Sequence, residues 1–280
     1  MRPLLVIQPT TLADALAERA ARPDATVIAG GTGVLPELTA GLEPPALLDL
    51  SRVRELRAVD EDGSLLRVGA TVTYTRAIEE LGEVLPGLAM ASRTVASRQI
   101  RNRGTLGGAL ALGDPSADAL AALVAAGARA ELQGPRGARR MPAEDVVTAP
   151  GATAIGRDEL LTAFLVPPAD GPVAYAKAGM RNAMARAVCG VAVALSPARR
   201  AVAIAVVGAA PRSLRAREAE ALVAAHAPWE GGRLPNELLQ RVGALVAAAV
   251  DPIPDERGSA AHRRRSAAVL ARRALERAWS

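Results

Sequence analysis

Gln99-Ile100-Arg101-Asn102-Arg103-Gly104-Thr105-Leu106-Gly107-Gly108 closes on a glycine doublet, and a second doublet stands far upstream in Ala29-Gly30-Gly31-Thr32-Gly33. The upstream loop follows the strand-like run Ala25-Thr26-Val27-Ile28 and precedes Leu35-Pro36-Glu37-Leu38. A loop that lays successive backbone N–H groups against a pyrophosphate carries no Cβ on its inner face and often needs φ > 0, so it is built from glycine. The pair predicts two clamps on one phosphorylated ligand, both presenting N–H donors, the second with arginines beside it. Either doublet alone reads more plainly as a tight turn. Neither matches a known nucleotide loop: no glycine-rich segment ends in Gly-Lys-Ser/Thr, and neither reads as G-x-G-x-x-G opening a helix after a first strand.

Downstream of the second loop, Leu112-Gly113-Asp114-Pro115-Ser116-Ala117-Asp118 runs into the apolar segment Ala119-Leu120-Ala121-Ala122-Leu123-Val124. This predicts a helix start, with Asp114 as cap, Pro115 in the first helical position and Asp118 one turn in. A purely structural role at a helix N-terminus is available to both carboxylates. Asp118 has a second reading: a carboxylate aimed back over the Gly-Gly turn accepts hydrogen bonds from ligand hydroxyls, such as those of a ribityl or ribose group.

Taken together, Ala29-Gly30-Gly31-Thr32, the Gln99–Gly108 string and Asp114-Pro115 with Asp118 resemble the FAD-binding subunit of the molybdenum hydroxylases, the xanthine dehydrogenase and carbon monoxide dehydrogenase medium-subunit family. The resemblance extends through Leu65–Thr73, Glu159-Leu160-Leu161, Tyr175-Ala176-Lys177 with Arg181, Gly208-Ala209-Ala210-Pro211 and Arg263–Leu275, and so covers essentially the whole chain. It implies an α+β fold: a two-lobed FAD-binding domain of the vanillyl-alcohol-oxidase (PCMH) type, plus a C-terminal α+β domain with a three-stranded antiparallel sheet and helices. It further implies FAD as cofactor, held by Ile28, Ala29, Gly30, Gly31, Thr32, Gly33, Val34, Thr105, Leu106, Gly107, Gly108, Ala109, Asp118, Leu161 and Lys177.

The same resemblance implies a division of labour. A molybdenum-cofactor large subunit hydroxylates the substrate, a 2Fe-2S small subunit relays electrons, and this chain's FAD passes them to NAD+, a quinone or oxygen, in a heterotrimer, single or doubled. Two positions depart from the family: Gly33 stands where a polar residue, often aspartate, is common, and Ala109 where asparagine is common. Each removes a side chain that could hydrogen-bond. At about 0.5–1.5 kcal/mol per net hydrogen bond, the two losses weaken FAD by ~10-fold or more without abolishing it.

Composition agrees with this reading. The chain has 280 residues, half of them hydrophobic, enough for two or three domains with real cores. No long uninterrupted apolar run suggests a membrane span, and Met1-Arg2-Pro3 leads into a short strand-like stretch rather than a secretory segment, so the expectation is a soluble cytoplasmic protein. The single cysteine, Cys189, excludes an internal disulfide and an all-thiolate cluster within the chain. Its apolar setting predicts an inert buried thiol. The net charge of +5 comes from scattered arginines with few aromatics to stack on bases, which argues against nucleic acid. His262-Arg263-Arg264-Arg265 reads as a solvated helix face. Lys177, the only lysine, follows a strand-like run. A chance surface position is one reading; by resemblance it stands where the family brings a lysine near the flavin.

No catalytic set or metal cluster stands out, and His226 and His262 fall in helix-like segments as structural or solvent-facing residues. That suits a subunit whose chemistry belongs to a bound cofactor. The pattern divides the chain into residues 1–57 (first lobe), 58–170 (second lobe) and 171–280 (C-terminal domain), with a hinge at Ala169–Pro172. The competing reading is a flavin-free scaffold subunit of the same kind of complex. A stand-alone flavin oxidase ranks behind both, because no substrate site with its own acid or base is visible.

Overall fold

The computed structural model describes residues 4–280; the N-terminal reading of Met1-Arg2-Pro3 lies outside the described residues. Strand β1 (Leu5–Ile7), helix α1 (Leu12–Ala21), strand β2 (Thr26–Ile28), helix α2 (Val34–Thr39) and strand β3 (Ala46–Asp49) form a small α/β layer. All its pairings are parallel, in the order β1-β3-β2. Thr11 caps α1, its hydroxyl accepting from the Asp14 N–H at 3.1 Å. Ala15, Leu48, Leu50, Val53 and Leu56 make the core of this layer, and Leu160 closes it from the next one.

The second layer follows as β4 (Val59–Asp62), β5 (Leu65–Gly69), four short helices α3 (Tyr74–Glu79), α4 (Pro86–Arg93), α5 (Arg98–Arg103) and α6 (Leu106–Ala111), then α7 (Asp118–Ala125). Strands β6 (Arg129–Gly134), β7 (Gly137–Pro142), the small pair β8 (Val147–Ala149) and β9 (Ala152–Thr153), and β10 (Leu160–Val166) complete it. Five of these strands make an antiparallel sheet, β4-β5-β10-β6-β7. Every residue of α7 is buried, and past Asp118 the helix is apolar on all sides.

Asp114 does not cap that helix. Its carboxylate accepts from the Ser116 N–H at 2.8 Å and from Ser116 Oγ at 2.6 Å, closing a local turn, and α7 starts four residues later behind Ala117. Asp-Pro-Ser carries the chemistry of an Asx turn as well as that of a helix cap, and here the turn prevails.

The last third contains β11 (Val173–Gly179), β12 (Ala187–Ser196), β13 (Ala201–Val207), β14 (Leu214–Arg215) and helices α8 (Arg217–His226), α9 (Asn236–Ala249) and α10 (Ala260–Trp279). The sheet has four antiparallel strands, not three: β14 pairs with Ala205 and Val206 and is two residues long, too short to carry a period. Alternation along β12 and β13 splits the residues cleanly. Val191, Val193, Leu195, Ile204 and Val206 face the core shared with α8–α10, whereas Ala192, Ala203, Ala205 and Val207 face the core that holds α7. The small residues on the α7 side let that helix lie close against the sheet.

The basic run on α10 is not uniformly solvated. His262, Arg264 and Arg265 are exposed, but Arg263 is buried, donating to Val188 O at 2.8 Å, to Gly208 O, and to the Asp255 carboxylate. Although partial burial pushes the Asp255 carboxyl upward, hydrogen bonds from Arg257 and Arg263 outweigh it and hold the group at about 2.

Candidate functional site

The two glycine loops meet. A Cβ added to Gly30 would lie 1.8 Å from Arg103 O and 3.1 Å from Gly104 N, so the first loop packs backbone to backbone on the start of the second. Gly31 turns the chain at φ +79°, a conformation glycine adopts without strain. Between and beyond the loops opens a cavity of ≈ 650 Å3, the size of a cofactor site. Its wall runs from Arg19 and Thr26 past both loops to Asp114, Asp118 and the segment Met184–Ala187.

The loops differ in what they offer. The N–H groups of Gly30, Gly31, Thr32, Gly33 and Val34 donate to no protein acceptor among the described residues, while Gly31 O accepts from Leu35 N at 2.9 Å and starts α2. Consecutive open amides of this kind form an anion-binding concavity. In the second loop the donors are consumed: Leu106 N bonds Val72 O at 3.0 Å, Gly107 N bonds Ala70 O at 2.8 Å, Gly108 N bonds Thr105 Oγ1 at 3.1 Å and Ala109 N bonds Thr105 O at 3.2 Å. The expectation that both loops present a row of donors is corrected accordingly. Gly107 is glycine because a Cβ would lie 2.6 Å from Ala70 Cβ and 2.7 Å from Ala70 O, a matter of packing. What the second loop leaves to the cavity is the N–H of Thr105, which has no protein acceptor among the described residues, and the Thr105 hydroxyl hydrogen.

Asp118 lies at the start of α7, buried, with one carboxylate oxygen accepting from Tyr175 Oη and the other from Lys177 Nζ at 2.9 Å. Lys177 Nζ also donates to Thr94 O at 3.0 Å. Burial raises the Asp118 carboxyl above the usual carboxylate range, against the pull of the adjacent ammonium. Burial and the Asp118 charge likewise push the Tyr175 phenol well up, so it stays a donor. The Tyr175 hydroxyl packs over Gly190 of the neighbouring strand, where an added Cβ would lie 2.5 Å from it, so glycine there makes room for the phenol.

Of the residues singled out in the sequence, Ala29, Gly30, Gly31, Thr32, Gly33, Val34, Thr105, Gly107, Gly108, Ala109, Asp118 and Leu161 line this one cavity. Ile28, Leu106 and Lys177 do not: Ile28 ends β2 and pairs with Asp49 of β3, Leu106 is in the core, and Lys177 stands one layer behind Asp118. Gly33 faces Leu112, whose Cδ1 would lie 2.1 Å from an added Cβ. Sequence reading missed Thr71, Arg19 and Tyr175. A signal existed for Tyr175, because it stands two residues before Lys177 on a strand and so shares its face. Cys189 is fully buried and its thiol is pushed up to about 12 by that burial, as expected of an inert residue.

Residues 2–169 match the model of the FAD binding domain in molybdopterin dehydrogenase, and residues 174–278 that of the CO dehydrogenase flavoprotein C-terminal domain. The chain is 35% identical over 277 residues to the carbon monoxide dehydrogenase medium chain of Afipia carboxidovorans, covering 97% of this chain and 95% of that one. It is 38% identical over 182 residues to the putative xanthine dehydrogenase FAD-binding subunit of Escherichia coli K12, a match spanning 62% of each chain. Among solved structures, a chain of the carbon monoxide dehydrogenase of Hydrogenophaga pseudoflava lacking the Mo-pyranopterin moiety superposes with a TM-score of 0.90 at 32% identity, covering 100% of this chain and 99% of that one.

Proposed function

The chain belongs to the family of FAD-binding medium subunits of the molybdenum hydroxylases, and on that premise we propose that its cavity holds one FAD in extended form and serves electron transfer within a larger enzyme. The observation that carries the assignment of the site is the run of open amides from Gly30 to Val34 on the wall of a cavity whose other side is the second glycine loop. Positive ends of five peptide dipoles there have no protein acceptor, and a diphosphate is the group that would satisfy several at once. The Thr105 N–H and hydroxyl add donors from the opposite loop. Ile28 and Leu106 take part only by shaping the loops that follow or contain them.

Bound FAD would supply a redox centre able to accept electrons singly and pass them on in pairs. The protein's part is binding and orientation. Each Asp118 oxygen has one protein donor and keeps lone-pair capacity for a ligand hydroxyl. Lys177 works through Asp118, holding the buried carboxylate in its charged, accepting form, and Tyr175 fixes its rotamer. Leu161, buried at the start of β10, gives an apolar contact on the same wall. We assign residues 1–57 and 58–170 as the two lobes that share the cofactor and 171–280 as the domain that backs Asp118.

Electrons would come from a 2Fe-2S small subunit fed by a molybdenum-cofactor large subunit, in a heterotrimer of the cytoplasm, and leave to NAD+, a quinone or oxygen. Among the described residues no helix is long and apolar enough to cross a membrane. Reconstitution tests the cofactor reading: the folded chain mixed with FAD and desalted should retain the flavin's visible bands at near-stoichiometric occupancy. A flat visible spectrum from a protein with normal secondary structure would support the scaffold instead.

A further inference from the structure

Thr71 has a buried hydroxyl, only 7% of the residue being exposed, that makes no hydrogen bond to the protein among the described residues. Buried polar atoms are rarely left so. Ser92 Oγ and Arg272 Nε share that condition, but of the three residues only Thr71 lines the cavity between the glycine loops. Its backbone is fixed on both sides. Thr71 N donates to Leu56 O at 2.9 Å, tying it to the first layer, while Ala70 O and Val72 O accept from Gly107 N and Leu106 N of the second loop. The hydroxyl therefore stands at the seam of the two lobes and cannot be relieved by a shift of the chain that leaves those bonds intact.

Resting on the cofactor reading above, we infer that Thr71 is a ligand-contacting residue whose hydroxyl hydrogen-bonds an oxygen of the diphosphate–sugar segment of the bound dinucleotide. Position and chemistry both favour that segment. Thr71 lies on the extended stretch that carries Thr73, which bridges Thr105 across the gap. A hydroxyl can donate to a phosphoryl oxygen or exchange hydrogen bonds with a sugar hydroxyl. The flavin and adenine rings would be held elsewhere, along the apolar parts of the wall.

The test uses the full chain and two substitutions. Thr71→Val keeps the shape and removes the hydroxyl; Thr71→Ser keeps the hydroxyl. In titrations followed by flavin fluorescence, Thr71→Val should raise the FAD dissociation constant roughly 3- to 10-fold, the effect of one lost hydrogen bond, and Thr71→Ser should match wild type. The cofactor-free Thr71→Val protein should melt at or above the wild-type temperature, because it no longer buries an unsatisfied hydroxyl. A merely structural threonine would give the opposite pattern, a lower apo melting temperature with unchanged affinity, and that result overturns the inference. Should the valine variant not fold, Thr71→Ala is read in its place by FAD affinity alone, since it also deletes a buried methyl group, and a dissociation constant equal to that of wild type overturns the inference. Wild-type protein that takes up no FAD would defeat the cofactor reading and this inference with it. Wild type that binds while Thr71→Val binds equally well defeats this inference alone.

Discussion

Gly30→Ala puts a methyl group where the structure has no space. Its Cβ would lie 1.8 Å from Arg103 O, and Cβ contacts do not occur below 3.0 Å, so the loops must part by about 1.2 Å. The obstacle is backbone at the end of α5, where Gly104 N bonds Ile100 O at 2.6 Å and Gly104 O accepts from Tyr74 N at 3.1 Å. Forcing such a contact costs about 1–3 kcal/mol. At roughly 2–4 °C per kcal/mol for a chain of this order of size, the apo protein should melt ~2–12 °C lower. Affinity should suffer separately. Parting the loops moves the open amides away from the Thr105 side, and the loss of one hydrogen bond to a charged group, about 1.5–3 kcal/mol, corresponds to a ~10- to 100-fold weaker FAD complex. Thermal melts of the apo protein and FAD titrations measure the two effects. Gly87→Ala is the control: it sits in the first turn of α4 with ordinary contacts of 3.7 Å to Val173, and should leave both quantities unchanged or raise the melting temperature slightly. A Gly30→Ala protein that melts and binds like wild type would refute the claim that the loops are in backbone contact.

Lys177→Met strips the cation from a buried carboxylate and should cost about 3–5 kcal/mol in chemical denaturation, most of it recovered by adding Asp118→Asn; a cost under about 1 kcal/mol would mean that the pair is not desolvated. Asp255, held at about 2, has a folded value below its unfolded one, so its contribution to stability is present above about pH 4 and lost as pH falls through 2. Asp255→Asn should flatten the acid limb of a denaturation-midpoint profile, and an unchanged slope between pH 4 and 2 would contradict the assigned hydrogen bonds. Cys189, pushed up to about 12, has a folded value above its unfolded one, so its contribution is present below the ordinary thiol range near pH 8.5 and lost as pH climbs towards 12. Native protein should resist iodoacetamide at pH 8 and react only after denaturation; fast native labelling would show that the thiol is accessible.

Sequence alone made the meeting of the glycine loops legible, because doublets followed by Thr-Gly at one site and preceded by Gly-Thr-Leu at the other leave few reasons to spare side chains. It did not distinguish a glycine kept for an anion from a glycine kept for packing. Gly30 and Gly107 look alike as letters, yet Gly30 begins a row of open amides and Gly107 is there for Ala70. The role of Asp114 was ambiguous for a similar reason, since one carboxylate can close a turn or cap a helix. Arg263 was legible in principle: with Ala267, Leu270, Ala271, Ala274, Leu275 and Ala278 it follows the buried stripe of α10, and the run of three arginines masked that period. Thr71 gave no sequence signal, because its meaning depends on which bonds its neighbours make across the seam.

Hydrogen–deuterium exchange of the full chain with and without FAD reads the open amides directly. The peptide spanning Gly30–Val34 should gain strong protection on FAD addition, whereas amides of Leu106–Ala109, already bonded within the protein, should change little. Protection confined to the second loop, or absent from the first while FAD is demonstrably bound, would contradict a diphosphate held on those five N–H groups.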